Sequence, residues 1–294
     1  MDELEIIQYL IRNFSYSKDR FLKKGIGDDC AVLEYKNDKF LLLSTDSAVE
    51  DVHFLKRNTS LKEIFCKSII AGISDVCSCA GKPLYLLLNV GISKYFSSQL
   101  RETLRFLKRY LNKLKLKLIG GNISSSKKTF VDATVLGIVA KDKLVLRNGA
   151  EVGDYIFVSR KLGVSKFIKS YTHFIPPLKE TRILVNNFKL NSMIDISDGL
   201  VLDLYRILEA SKKGALIFKD NIPLYKGADF KDALYGGEEY CLLFTLSPQE
   251  SKRMLSSHFR KYFYFLGYIT SEKGLYLKDK RKVLLSKRGY VHKI

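Results

Sequence analysis

No run of eighteen apolar residues occurs anywhere in the 294-residue sequence, so no membrane-crossing helix is expected. The first ten residues, MDELEIIQYL, carry acids where a secretory leader carries bases, which leads us to expect a cytoplasmic protein. Cysteine is scarce and odd in number: Cys30, Cys66, Cys77, Cys79 and Cys241. Only Cys77 and Cys79 are close, and no second pair completes a zinc site or a disulfide framework, so the five read as reduced thiols used as small apolar side chains. Acids are in deficit, 31 against 50 lysines and arginines, giving a net charge of +19. The bases are spread along the whole chain and are mostly lysine, so nucleic-acid binding is not expected as the main function. A basic field still attracts small phosphorylated molecules. No G-x-x-x-x-G-K-[ST] sequence and no kinase H-R-D or D-F-G set is present. Gly25-Ile26-Gly27 is not a dinucleotide fingerprint, because the position of the third glycine is Cys30. There is no low-complexity segment and no long linker.

What is present is a globular chain, 46% apolar and 12% aromatic, long enough for one large domain or two ordinary ones. The central stretch is Phe40 to Phe54, FLLLSTDSAVEDVHF. Its apolar run, Phe40–Leu43, predicts a buried strand ending in Ser44, Thr45 and Asp46, with Asp51 and His53 close behind. Along the chain the spacing predicts a helix over 2–14, then a turn-rich link to Gly27. A hairpin of strands 30–35 and 40–43 follows, then a helix over 61–80 interrupted near Gly72, and a strand over 84–90. A basic amphipathic helix over 97–112 leads to an alternating strand at 113–118. Ile119-Gly120-Gly121-Asn122 reads as a paired-glycine turn, and 130–139 as a strand. The composition shifts near residue 142, where we place a domain boundary, giving domains 1–142 and 143–294. The second half is read as strands near 155–159, 193–199, 215–218, 241–246, 262–270 and 274–285. Helices are expected near 165–171, 179–188, 200–211, 228–234 and 248–258. Helices interleaved with hairpins predict an α+β, two-layer architecture and not a doubly wound parallel sheet.

The acids that stand out are Asp29, Asp46, Asp75, Asp195 and Asp198, at strand ends or beside small residues, with Glu238 between a glycine pair and a strand. Gathered carboxylates repel one another unless cations sit among them. Hard oxygen ligands of this kind suit Mg²⁺ bridging phosphate oxygens, the arrangement phosphoryl transfer requires.

GIGDDCAVL, STDSAVEDVHF, ISDVCSCAGKP, IGGN, RNGAEVGD, DISDGL and GGEEY occur in the order and spacing of thiamine-monophosphate kinase. The sequence therefore resembles that family, part of the superfamily of aminoimidazole ribonucleotide synthetase, from about residue 2 to residue 292. The resemblance implies an N-terminal α/β domain whose sheet pairs with that of a second subunit, a C-terminal α/β domain beside it, and a homodimer. It implies direct transfer of the γ-phosphoryl group of ATP to thiamine monophosphate, giving thiamine diphosphate, with Mg²⁺. By position, it implies that Asp29, Ser44, Thr45, Asp46, Asp75, Asp195 and Asp198 are Mg²⁺ ligands. Gly121, Asn122, Arg147 and Ser197 correspond to nucleotide contacts, and His53, Glu238 and Tyr290 to contacts with thiamine monophosphate. No side chain is required as a covalent carrier. The alternatives are a divergent relative acting on another small phosphorylated or carbonyl substrate, and a catalytically silent nucleotide-binding protein.

The sequence departs from the family pattern at five places. Asn122 stands where the family has Asp, Gly72 where it has Asn, and Glu239 and Cys241 where it has Asp and Glu. Arg160-Lys161-Leu162-Gly163-Val164 replaces a G-x-x-G-D turn, and Ile175-Pro176 replaces Arg-Pro.

Overall fold

The computed structural model describes residues 3–14, 16, 19–167 and 170–292. Two sheets organise them. The first takes its strands from residues 22 to 140: β1 (Leu22–Lys24), β2 (Ala31–Lys36), β3 (Lys39–Val49), β4 (Lys82–Ile92), β5 (Lys117–Ser125) and β6 (Phe130–Ala140), in the order β1-β2-β3-β6-β4-β5. The second takes β7 (Tyr155–Val158), β8 (Leu190–Asp195), β9 (Gly214–Phe218), β10 (Leu242–Leu246), β11 (Tyr264–Thr270), β12 (Gly274–Lys278) and β13 (Lys282–Leu284), in the order β13-β12-β9-β11-β7-β10-β8. Only the β4/β5 and β9/β12 pairs are parallel. The expectation of hairpin-rich layers, not a doubly wound sheet, agrees with this topology.

Among the described residues, seven α-helices cover the sheets: α1 (Glu3–Asn13), α2 (Leu61–Ser78), α3 (Leu100–Leu114), α4 (Leu178–Asn187), α5 (Leu200–Ser211), α6 (Phe230–Tyr235) and α7 (Pro248–Ser256). The helix that matters most is α2. Fourteen of its eighteen residues are buried, the mark of a helix enclosed on most sides. It starts at a capping box in which Ser60 and Glu63 satisfy each other's backbone donors. It packs on β3 and β6 and also touches β8 of the second sheet, so it lies between the two layers. Gly72 does not interrupt it. A Cβ there would lie 2.8 Å from Val135 Cγ2, so glycine is what lets the helix approach β6 closely.

Four further expectations are corrected. Strand β3 does not stop at Leu43 but continues to Val49, because its inward side chains remain enclosed after the apolar run ends. The lysine–leucine alternation at 113–118 is split: residues 113–114 finish α3, Lys115 is left-handed, and the strand starts at Lys117. Gly120-Gly121-Asn122 is not a turn but the middle of β5, an edge strand exposed along its whole length. The helix expected over 165–171 is two 3₁₀ turns, Ser165–Phe167 and Tyr171–His173, with residues 168 and 169 outside the described set.

Candidate active site

The period of two in β3 sorts the central motif onto two faces. Ser44 and Asp46 point inward toward α2. Thr45 points to the other face, where Thr134 Oγ1 lies 3.1 Å from its hydroxyl. On α2 the i, i+4 spacing aligns Lys67, Ala71 and Asp75 along one stripe, with Ser74 and Ser78 flanking its end. Ser44 Oγ donates to Asp75 and lies 3.3 Å from Asp46 Oδ2. Ser74 Oγ donates to Asp195 Oδ2 at 2.7 Å, bridging α2 to the second sheet. Ser78 Oγ donates to Asp29 Oδ2 at 2.5 Å.

Carboxylate oxygens of Asp29, Asp75 and Asp195 lie within 4.8 Å of one another. Burial raises the pKa of Asp46. Burial followed by repulsion from Asp46, Asp195 and Asp29 raises Asp75, and burial followed by Asp29 raises Asp195. Asp28, buried beside Asp29, is pushed up to about 6. The donors are all hard oxygens, clustered and short of positive charge, so the set fits a divalent cation such as Mg²⁺. Two arginines already neutralise part of the cluster. Arg147 forks onto Asp29 through Nε, at 3.0 Å, and Nη2. Arg206 reaches Asp198 at 2.6 Å and Asp203 at 2.5 Å.

Asp203 is fully buried and shapes the loop after β8. Its Oδ2 accepts the N–H groups of Ser197, Asp198 and Gly199 at 3.1, 3.0 and 3.1 Å. Gly237 closes on that loop, and a Cβ there would lie 2.5 Å from Ser197 O. The next residue, Glu238, is held at φ +62, an uncommon conformation for a side-chain-bearing residue, and donates its N–H to Ser197 O at 2.7 Å.

Two cavities meet at the carboxylates. One, of about 720 Å³, is lined by His53, Lys67, Glu238, Tyr240, Tyr290 and His292 among others. The second, of about 1160 Å³, runs past Gly25–Asp29, Arg147, Arg206 and the apolar side of α1. Asp46, Asp75, Ser197 and Asp198 line both. In the smaller cavity the T-shaped contact between His53 and His292 has ring centroids 5.0 Å apart, and Tyr290 stands edge-on to His292 at 4.9 Å. His53 Nδ1 accepts the Val49 N–H at 3.1 Å, and burial followed by the charge of Lys67 lowers its pKa. The ring is therefore neutral at pH 7, with its proton on Nε2.

The fold thus brings together Asp29, Ser44, Asp46, Asp75, Arg147, Asp195, Ser197 and Asp198, with His53, Glu238 and Tyr290 on one side. It does not bring the Thr45 side chain, Gly121 or Asn122 into either cavity. Asn122 Nδ2 instead donates to Asn89 Oδ1 at 3.3 Å on the outer face of the first sheet. The departures from the family pattern find local partners. Buried Glu239 accepts the N–H groups of Gly163, Val164 and Ser165, and Arg160 pairs with Glu180 at 2.8 Å and donates to Ile175 O at 2.7 Å. Sequence reasoning missed Lys67, Tyr171, Asp203 and Arg206. The i, i+4 step from Lys67 to Ala71 and on to Asp75 was a usable signal for the first of these.

Residues 27–139 match the family model described as AIR synthase related protein, N-terminal domain. Thiamine-monophosphate kinase of Buchnera aphidicola subsp. Schizaphis graminum is 34% identical, over 99% of this chain and 98% of that one. The enzyme of the same name from Bacillus subtilis is 28% identical, over 99% of both. A solved structure of AaThiL complexed with AMPPCP and TMP superposes with a TM-score of 0.82 at 26% identity, covering 99% of this chain and 97% of that one. With this identity spanning the full length of both chains and a matching fold, the protein belongs to the thiamine-monophosphate kinase family and is a thiamine-phosphate kinase.

Proposed function

We propose that the chain transfers the γ-phosphoryl group of Mg²⁺-bound ATP directly to the phosphate of thiamine monophosphate. The observation that carries this is the shared wall of the two cavities: Asp46, Asp75, Ser197 and Asp198 face both. A nucleotide in the larger cavity and an acceptor in the smaller one would present their phosphates to each other across the carboxylates. The AaThiL structure holding AMPPCP together with TMP supports assigning one ligand to each cavity.

Asp29, Asp46, Asp75, Asp195 and Asp198, with the Ser44 hydroxyl, would hold the Mg²⁺, which neutralises phosphate charge when bound. Thr45 contributes at most its backbone carbonyl, since its side chain points away. Arg147 and Ser197 bind the nucleotide phosphates, with a forked charge-assisted contact from the arginine. In the smaller cavity Glu238 accepts from the pyrimidine amine and Tyr290 offers an aromatic face to the cationic thiazolium. An oxygen of the acceptor phosphate attacks the γ-phosphorus, the bond from γ-phosphorus to the bridging oxygen breaks in line with it, and ADP leaves. The attacking oxygen is already anionic, so no general base is needed. His53 supports this assignment: it bears its proton on Nε2 and is placed to donate to the acceptor, not to remove a proton from it.

We further propose a two-domain division near residue 142 and a homodimer formed through the first sheets. The support is β5, an exposed edge strand with Leu118, Ile119 and Ile123 uncovered. In such a dimer Gly121 and Asn122, remote from the cavities of their own chain, serve the partner's nucleotide site. Ile123→Lys should then convert a dimer to monomers in analytical ultracentrifugation. The activity is tested by quantifying thiamine diphosphate made from ATP, Mg²⁺ and thiamine monophosphate. Turnover that disappears in Asp46→Asn is the expected result, and no product from the parent protein would refute the proposal.

A further inference from the structure

We infer that Lys67 makes the enzyme demand a phosphorylated acceptor, by exchanging an internal ion pair for one with the substrate. This rests on the acceptor assignment given above. Lys67 sits in the middle of buried α2 with its side chain only 10% exposed, and it lines the smaller cavity. Its Nζ lies 2.5 Å from Glu238 Oε1 and donates to the His53 carbonyl oxygen at 2.6 Å. The Tyr171 ring lies 5.4 Å below the ammonium, and the Tyr171 hydroxyl donates to the second oxygen of Glu238. Lys67 therefore joins two of the three residues assigned to the acceptor.

The ligand-free arrangement has a consequence for binding. Glu238 cannot accept from a pyrimidine amine with its full capacity while Lys67 and Tyr171 occupy both of its oxygens. Pulling Glu238 away leaves a buried ammonium facing one carbonyl and a ring, which is costly unless another anion arrives. Thiamine monophosphate brings both replacements: its phosphate takes the place of Glu238 on Lys67, and its amine takes the place of Lys67 on Glu238. Thiamine lacks the phosphate and supplies only one of the two, so its binding leaves Lys67 uncompensated. Lys67 and Asp75 lie on the same stripe of α2, so the lysine faces the cavity whose wall the carboxylates form.

The test is the ratio of thiamine to thiamine monophosphate dissociation constants, measured by isothermal titration calorimetry at fixed Mg²⁺. In Lys67→Gln, which keeps an N–H donor for the His53 carbonyl, the preference for thiamine monophosphate should fall by about 30-fold or more, as expected for a partly buried charge-assisted contact. Thiamine affinity itself should rise or stay level, because its binding no longer strands a buried ammonium. A structural role for Lys67 would weaken both ligands together, and that result, or an unchanged ratio, overturns the inference. Glu238→Gln provides a second arm should the first variant fail to fold. Both ligands lose the same amine contact and neither has to break the ion pair, so the preference for thiamine monophosphate should be kept; a fall overturns the inference. A parent protein that does not distinguish the two ligands overturns the acceptor assignment itself, and the role of Lys67 with it.

Discussion

Replacing Asp75 by Asn should stabilise the metal-free protein and abolish its activity. The oxygens of Asp29, Asp75 and Asp195 lie within 4.8 Å of one another, and Asp46 shares the Ser44 hydroxyl with Asp75. Two unit charges at that separation repel by about 3.5 kcal/mol at an effective dielectric constant near 20. Asp75 faces two such neighbours, but taking up a proton limits the cost. Protonating an ordinary carboxyl at pH 7 costs about 4 kcal/mol, which caps the penalty there. Loss of the charge-assisted bond from Ser44 returns about 1 kcal/mol of that. The net gain is about 1–3 kcal/mol, or about 2–5 °C in Tm for a chain of this size. A carboxyl whose folded-state pKa is raised destabilises the fold only above its unfolded pKa, so the gain should fade as pH drops toward 4. Calorimetry in chelator, with and without added Mg²⁺ and ATP, checks both halves of the statement. The parent should gain stability from the ligands by mass action and the variant should gain far less. A metal-free Tm for Asp75→Asn equal to or below that of the parent would refute the reasoning and make Asp75 a structural hydrogen-bond acceptor.

Two further substitutions probe how the site is held. Gly72→Asn, which restores the family's usual residue, should cost about 1–3 kcal/mol in urea unfolding through overpacking against Val135, which a Cβ would meet at 2.8 Å. Adding Val135→Ala should recover most of that loss. Asp203→Ala leaves three loop N–H groups and Arg206 without their carboxylate and should cost about 3–5 kcal/mol. Asp203→Asn keeps an oxygen for the loop and should lose less than half as much, while still raising the KM for ATP because Arg206 is no longer held against Asp198.

The layers were legible because their signals are local. The apolar run at Phe40, the long apolar segment of α2 and the strands ending in Asp-Ile-Ser-Asp each specify an element before any partner is considered. Boundaries failed where a tertiary contact decides. Strand β3 runs past Leu43 because Ser44 and Asp46 find Asp75 and Ser68 across the layer, which no window of sequence contains. Gly120-Gly121 looked like a turn because paired glycines usually are one; here a Cβ at Gly121 would lie 1.8 Å from Leu88 O, so glycine serves close pairing of β5 with β4. The acids of the site could be assigned by position, whereas Asp203 could not, and Lys67 offered only its helical spacing from Asp75. A lysine and an aspartate in apolar helices read as solvated groups until burial shows that each faces a loop it organises.

The distribution of cations inside the site decides where metal charge is needed. Of the five clustered aspartates, Asp29 and Asp198 are already matched by Arg147 and Arg206, and both arginines line the larger cavity. Among the described residues, Asp46, Asp75 and Asp195 have hydrogen bonds from neutral serine hydroxyls and no such arginine. Within the five, those three are the ones whose pKa values burial, with repulsion from neighbouring carboxylates, raises. The deficit of positive charge therefore lies at Asp46, Asp75 and Asp195, away from the two arginines. The proposed transfer would concentrate negative charge beside these three aspartates, between the attacking and leaving oxygens. A protein that placed its arginines there would satisfy the aspartates permanently and leave no demand for a cation delivered with the nucleotide. With the arginines set to one side, the fold would keep that demand for a cation arriving with the nucleotide, as the proposed function requires.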